Sequence, residues 1–161
     1  MESAVLKVIF AVFLGLMVAF FVGFGISAFF PDPVYPNAIN DLYAQAGDKA
    51  ITPELQAQIT ELENAYANDQ QVHNRIVSII VTIAAVLFLG LSLVFEKRSL
   101  VLANGIMLGG LFALVYGAAR GLGSQDSIVT FITVGVGLAA VVFIGLRRFS
   151  RPSEATSAPR D

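Results

Sequence analysis

Few residues in this sequence are of a type that does acid–base or metal chemistry. The 161-residue chain has no cysteine and one histidine, which excludes thiol nucleophiles, disulfides and sites built from several histidines. That histidine, His73, follows Asp69 by four residues, so the two share a face if the segment is helical. Two ligands are too few to hold a metal ion, and the pattern favours an ordinary interfacial histidine over a metal site or a pH sensor.

The long apolar runs of the chain also lack chemistry. None of the four has Asp, Glu, His, Lys or Arg near its centre. Ionisable groups within a membrane usually mark proton or ion coupling, so their absence argues against a proton-coupled carrier and an intramembrane hydrolase. No phosphate-binding loop and no basic nucleic-acid patch is recognisable. The sequence therefore predicts no catalytic residue, no metal, no cofactor and no nucleic-acid partner.

The third apolar run has the polar and small residues expected of a helix-packing surface. Asn104 lies about one turn into it, where its amide is suited to a hydrogen bond with a neighbouring helix, worth about 0.6–2 kcal/mol. Small residues recur at every fourth position, which lets two helix backbones approach closely: Gly105, Gly109, Ala113, Gly117 and Gly121. The partner is the fourth run through Gly135 and Ala139, the first run through Gly23 and Ser27, or another molecule.

A second stripe lies between the first and second apolar runs. Apolar residues there follow one another at spacings of four, three and four, the pattern of one helix face: Leu55, Ile59, Leu62 and Tyr66. Thr52-Pro53 is a favourable helix start, and no Gly or Pro occurs from residue 54 to residue 89. We therefore expect one long helix that continues into the second run. A short helix over residues 37–46 would fold back onto it as a small helical cap, with the stripe as a partner surface.

These residues are positioned by four apolar runs, at about residues 8–30, 76–95, 100–120 and 127–146. Each is near the ~20 residues that cross a bilayer as a helix. The apolar fraction of 56% before glycine is counted exceeds the about 45–50% with glycine of soluble domains. The first run is too long for a cleaved signal peptide. The predicted fold is all-α: one polytopic membrane domain, a four-transmembrane-helix bundle with a helical extracytoplasmic loop at about residues 31–75.

The basic residues predict the orientation, because cytoplasmic segments next to the membrane are enriched in Lys and Arg. With both termini cytoplasmic, the inner segments contain Lys7, Lys97, Arg98, Arg147, Arg148, Arg151 and Arg160. The outer segments contain only Lys49, Arg75 and Arg120. This distribution predicts a multi-pass protein of the plasma or inner membrane, with a disordered cytoplasmic tail at about residues 150–161.

Three function classes remain after these exclusions. The sequence favours a non-catalytic accessory, scaffold or assembly subunit that contacts the lipid bilayer. It would bind another membrane or extracytoplasmic protein, or a second copy of itself, through the loop and the small-residue face. The alternative is a homo-oligomeric channel or facilitator lined by Asn104, Thr130 and Thr133. An enzyme or sensor on the outer loop is the third class.

Overall fold

The computed structural model describes residues 2–47 and 51–149, and within them every regular element is an α-helix. Five helices follow one another along the chain: α1 (Glu2–Phe29), α2 (Asn37–Ala46), α3 (Pro53–Phe95), α4 (Leu100–Gly123) and α5 (Ser127–Phe149). The predicted all-α fold is thereby confirmed. Lys49 and the tail from residue 150 onward lie outside the described residues.

Four of these helices are long and apolar enough to cross a membrane, as the sequence predicts. The qualifying segments are Ser3–Phe29, Pro53–Phe95, Leu100–Gly123 and Ser127–Leu146. Within the described residues, α2 is the helix that does not qualify, since it has only 10 residues. It lies in the segment between the first two apolar runs.

Local hydrogen bonds set where α3 and α5 begin. The hydroxyl of Thr52 accepts a bond from the backbone N–H of Leu55 at 3.3 Å, directly before the proline that opens α3. At the start of α5, Oδ1 of Asp126 accepts from the N–H groups of Ile128 and Val129 at 3.0 and 3.2 Å. Both side chains satisfy amide groups that the first helical turn leaves without partners.

Helix α3 is the longest element and is unbroken over 43 residues. At a rise of 1.5 Å per residue it is about 65 Å long, roughly twice the thickness of a bilayer core. Its first part, residues 53–75, contains the contacts with α2, and we call this part and α2 together the cap. Its second part enters the bundle, as the absence of Gly and Pro over residues 54–89 predicts.

The antiparallel pair α3–α4 forms the centre of the bundle. Helix α5 packs against both members of the pair, whereas α1 packs almost entirely against α4, and the backbones of α1 and α5 are not neighbours in the part of the chain that the structure describes. The central core comes mainly from α3 and α4: Val77, Val81, Ala85, Leu89, Ala113 and Leu114. Helix α1 leaves most of its large apolar side chains uncovered, and only 11% of its most apolar segment is buried against 44% for α4.

The bundle has two ends, which we name by their connections. The loop end contains residues 30–36, which join α1 to α2, and residues 124–126, which join α4 to α5. The turn end contains the tight connection of residues 96–99 between α3 and α4, the start of α1 and the last turn of α5.

Candidate functional site: the polar network at the loop end

Arg120, in the last turn of α4, is the centre of a polar network at the loop end. Its Nη1 donates to Oδ1 of Asn74 on α3 at 2.8 Å, and its Nε donates to the hydroxyl of Tyr116 at 3.1 Å. The guanidinium carbon also lies 5.6 Å from the centre of the Tyr116 ring, a cation–π distance. Nη2 lies 3.1 Å from Oδ1 of Asp32. Arg120 therefore joins α3, α4 and the segment that follows α1.

Asp32 is shared between Arg120 and His73. Nε2 of His73 lies 3.0 Å from the same Oδ1 of Asp32 that Arg120 approaches. The His73 side chain is only 11% exposed, whereas that of Asp32 is 52% exposed. Sequence spacing places Asp69 and His73 on one face, but the imidazole of His73 contacts the carboxylate of Asp32, 41 positions earlier in the chain. The carboxylate thus ties the exit from α1 to both α3 and α4.

Asn74 carries the network into the interior of the bundle. The residue is 8% exposed, and while its Oδ1 accepts from Arg120 its Nδ2 donates to the backbone carbonyl of Gly123 at 3.2 Å. Both ends of the amide are therefore bonded, as a buried polar side chain requires. The bond to Gly123 holds the final turn of α4 against α3.

Below Asn74, polar side chains recur at every fourth position of α3; we call Asn74, Ser78 and Thr82 the polar ladder. Ser78 donates to the backbone carbonyl of Gly117 on α4 at 2.8 Å, and its hydroxyl lies 3.3 Å from that of Thr133 on α5. Thr82 donates to the backbone carbonyl of Ser78 at 2.8 Å. All three ladder residues are buried. Asn74 and Ser78 therefore bond α3 to α4 and α5 inside the bundle, whereas the bond of Thr82 lies within α3.

Helix α5 makes its own bond to the glycine-rich face of α4. The hydroxyl of Thr130 donates to the carbonyl of Gly121 at 2.8 Å and lies 3.0 Å from the carbonyl of Asp126. A Cβ added at Gly121 would lie 3.0 Å from the Ser78 hydroxyl and 3.6 Å from the Thr130 backbone. Glycine at this position thus leaves space for the side chains of two neighbouring helices.

The small-residue stripe of α4 is divided between two neighbours. A Cβ at Gly105 would lie 2.7 Å from Cδ2 of Leu14, and one at Gly109 would lie 2.5 Å from Cβ of Val18, both on α1. Nearer the loop end, a Cβ at Gly117 would lie 3.1 Å from the Thr82 hydroxyl on α3. Ala113, between them, is 2% exposed. The stripe therefore holds α1 through its turn-end half and α3 through its loop-end half.

The glycines that the sequence predicted to pack against this stripe, Gly23 and Gly135, do not contact it closely. Nothing lies within 4 Å of a Cβ built at Gly23 on α1 or at Gly135 on α5. The close approach on α1 comes from Leu14, Gly15 and Val18 instead, about two turns nearer the turn end. The two helices named in the sequence analysis are indeed neighbours of α4, but the predicted contact positions are wrong.

The stripe of the cap is largely covered within the chain. Ile59 has no exposed surface, and Leu55 and Leu62 are half-buried. Tyr66 is half-buried and makes an edge-to-face contact with Tyr35, with ring centres 5.2 Å apart. Because the short helix packs here, Ile59 has no surface left for another protein. The stripe therefore contributes to the packing of the cap itself.

Asn104 lies away from the network, near the turn end. It is half-buried and lines a groove together with residues of α3, α4 and α5. At the loop end, a second ion pair joins Arg75 to Asp126 at 3.6 Å, but the arginine is 57% exposed, so water weakens the attraction. Neither contact belongs to the Arg120 network.

The hydrogen bonds of the network and of the polar ladder fasten α3, α4 and α5 to one another. Within residues 2–47 and 51–149, no three His, Asp or Glu side chains are grouped as metal ligands would be. Within the network the Asp32 carboxylate lies between the guanidinium of Arg120 and the imidazole of His73. The sequence analysis did not predict the polar ladder, and it did not predict that Asp32 contacts both Arg120 and His73. The four-residue spacing of Asn74, Ser78 and Thr82 was the available signal for the ladder.

Comparisons of the chain with known proteins supply no relative from which a role could be transferred. Neither the protein-family models, nor the curated proteins, nor the solved structures give a significant match to it.

Proposed function

We propose that this chain is a non-catalytic, multi-pass protein of the plasma or inner membrane that serves as an accessory, scaffold or assembly subunit. The observation that carries the proposal is how the polar groups of the bundle are used. Ser78, Thr130 and Thr133 bond to backbone or hydroxyl groups of neighbouring helices, and Thr82 bonds to the carbonyl of Ser78 in its own helix. In such a bundle the polar side chains hold helices together and leave no described group poised to react.

The same observation weighs against two of the three residues proposed to line a channel. Thr130 and Thr133 are candidate lining residues, but Thr133 is 5% exposed beside Ser78, and Thr130 bonds to Gly121. The groove between α3 and α5 is lined mainly by apolar side chains, among them Ile83 and Val136. A conducting path would need polar groups facing an open space, so a pore requires assembly of several copies around other faces.

A bilayer would cover the apolar side chains of α1 that the rest of the chain leaves exposed. Helix α1 exposes a row of large apolar side chains along its length, including Phe10, Phe13, Phe20, Phe21 and Phe24. In water such a surface would drive aggregation, whereas lipid tails solvate it without cost. The excess of Lys and Arg at the turn end supports placing that end in the cytoplasm.

The cap is the proposed docking element for an extracytoplasmic partner. Ile59 is buried, so the surface that the cap offers to a partner is the groove between α2 and α3. This groove has a volume of about 590 Å³, and its lining includes Asp41, Gln45, Gln58 and Glu61. An acidic groove is complementary to a basic partner surface. The cap would therefore bind its partner through these acids, with Leu62 of the stripe at the groove surface and Ile59 internal.

Mass measurement of the tagged protein in lipid nanodiscs tests this function. An accessory subunit retains a second protein at constant stoichiometry, and the paired changes Asp41→Asn and Glu61→Gln reduce the retained fraction. Glu96→Gln at the turn end removes a charge without touching the cap and is the matched control. A symmetric homo-oligomer without a second protein, together with solute flux in liposomes that Asn104→Leu alters, would establish the channel instead.

A further inference from the structure

A groove of about 510 Å³ opens between α3, α4 and α5 near the turn end. Its size is within the about 300–1,000 Å³ range of small-ligand sites. Among the described residues, seven line it: Leu89, Asn104, Met107, Leu111, Val141, Ile144 and Gly145. Of these seven only Asn104 has an amide, and the others offer an apolar surface. The groove is suited to an apolar chain that has a polar group near one end.

The depth of the groove corresponds to one leaflet of a bilayer. On α4 its lining extends from Asn104 to Leu111, which places it about 6 to 16 Å from the start of the helix at Leu100. Half of a hydrocarbon core is about 15 Å thick. Asn104 therefore lies toward the headgroup side and Leu111 near the midplane. This is the course of a lipid acyl chain.

The turn end carries a positive charge excess beside the groove. Lys97 and Arg98 are exposed on the connection between α3 and α4, and Arg147 and Arg148 belong to the last turns of α5. The acid of this connection is Glu96. The two exposed cations Lys97 and Arg98 outnumber the single acid Glu96 on this connection, which makes it complementary to an anionic headgroup.

We infer that this groove is a binding site for an anionic phospholipid of the turn-end leaflet. One acyl chain lies in the groove between α4 and α5, the linkage region reaches the depth of Asn104, and the headgroup lies by Lys97 and Arg98. The inference rests on the proposed membrane location and adds a specific ligand to it. It concerns none of the residues of the loop-end network.

The test uses the full chain in nanodiscs of equal parts phosphatidylglycerol and phosphatidylcholine, followed by native mass measurement of the lipids retained after stepwise activation. Gly145→Phe fills the groove, and nothing lies within 4 Å of a Cβ at that position. Gly135→Phe is the matched control, because its Cβ position is equally open, lies on the same helix and does not line the groove. Circular dichroism checks that both variants retain the helical fold.

We expect the original chain to retain phosphatidylglycerol over phosphatidylcholine by at least about fivefold. Gly145→Phe should abolish this retention and Gly135→Phe should preserve it. Lys97→Gln and Arg98→Gln should each lower the preference about fivefold, whereas Lys7→Gln, at the same end on α1, should not.

The outcomes separate the lipid site from the proposed function. Incorporation into nanodiscs with equal retention of both lipids, or equal retention by Gly145→Phe and Gly135→Phe, would overturn the lipid site and leave the membrane location standing. Failure to enter nanodiscs at all would overturn the membrane location itself.

Discussion

Asn74 illustrates how much of this fold depends on single polar side chains. Its amide is buried, and each of its ends bonds to a group on α4: the guanidinium of Arg120 and the carbonyl of Gly123. A group that loses its partner in such a place retains the full cost of its desolvation, about 1–3 kcal/mol. The network is therefore sensitive to loss of one member.

The change Asn74→Ala should lower the free energy of unfolding by about 1–3 kcal/mol, because it leaves the Gly123 carbonyl and one Arg120 N–H without protein partners. Thermal unfolding in detergent measures the effect. Asn68→Ala is the control, since Asn68 is exposed on the same helix. Equal stability of the two variants would show that the Asn74 bonds contribute nothing.

A second residue-scale prediction concerns Tyr43 in the cap, whose hydroxyl donates to Oε1 of Glu63 at 3.3 Å. The negative charge of Glu63 disfavours the phenolate and raises the pKa of Tyr43 above its ordinary value. A raised pKa in the folded state means that this contact stabilises the cap below about pH 10 and is lost as the pH rises through the raised value.

The change Glu63→Gln should lower the pKa of Tyr43, because it removes the charge that opposes ionisation. The phenol resonance of Tyr43 in a ¹³C-tyrosine sample, followed by NMR against pH, gives the midpoint. Glu61→Gln, two positions away on the same exposed segment, should leave it unchanged. An unchanged midpoint in Glu63→Gln would contradict the assigned cause.

At this scale the sequence predicted less than it did for the helices. The proximity of Tyr116 to Arg120 was predictable, because four residues along a helix bring side chains together. The pairs Arg120–Asp32 and Arg120–Asn74 join residues 88 and 46 positions apart, and no local pattern encodes them. Such pairs depend on which helices are neighbours, and a single sequence does not specify that.

The contact between α1 and α4 is decisive at the scale of elements, because α1 has almost no other neighbour in the bundle. Gly109 meets Val18 so closely that an added Cβ would lie 2.5 Å from its Cβ and 3.0 Å from the carbonyl oxygen of Gly15. The backbone cannot yield there without moving the whole helix. The position of α1 thus depends on the absence of one methyl group.

The change Gly109→Ala should reduce stability by about 1–3 kcal/mol through this overpacking. Gly135→Ala, where nothing lies within 4 Å, should instead be neutral or raise stability by up to about 1 kcal/mol, since alanine favours a helix over glycine. Unfolding in detergent measures both. Combining Gly109→Ala with Val18→Gly should recover part of the loss, and no recovery would place the clash elsewhere.

The helices themselves followed from the sequence because their causes are local. Apolar runs closed by charged residues set the four long helices, and the uninterrupted stretch after Pro53 set the continuity of α3. The registers between helices did not follow. A stripe of small residues defines a face of α4, but its partners could be recognised only from the packed structure, where Val18 and not Gly23 meets it.

The orientation of the whole molecule is testable because the chain has no cysteine. A single cysteine at Gln45, which is exposed on α2, should react with a membrane-impermeant maleimide in intact cells. One at Thr156 should react only after the cells are opened, since the positive residues favour a cytoplasmic turn end. Labelling at Thr156 but not at Gln45 in intact cells would reverse the topology.

The unbroken length of α3 also determines how far the cap extends from the membrane. In the proposed topology, residues 53–75 project about 35 Å beyond the apolar part of the helix. That is more than three times the distance over which salt screens charge, about 8–10 Å. Salt therefore screens the repulsion between the acids at the far tip of the cap and an anionic headgroup layer almost completely. A partner that binds those acids therefore has to extend from the membrane surface by about the diameter of a small protein domain.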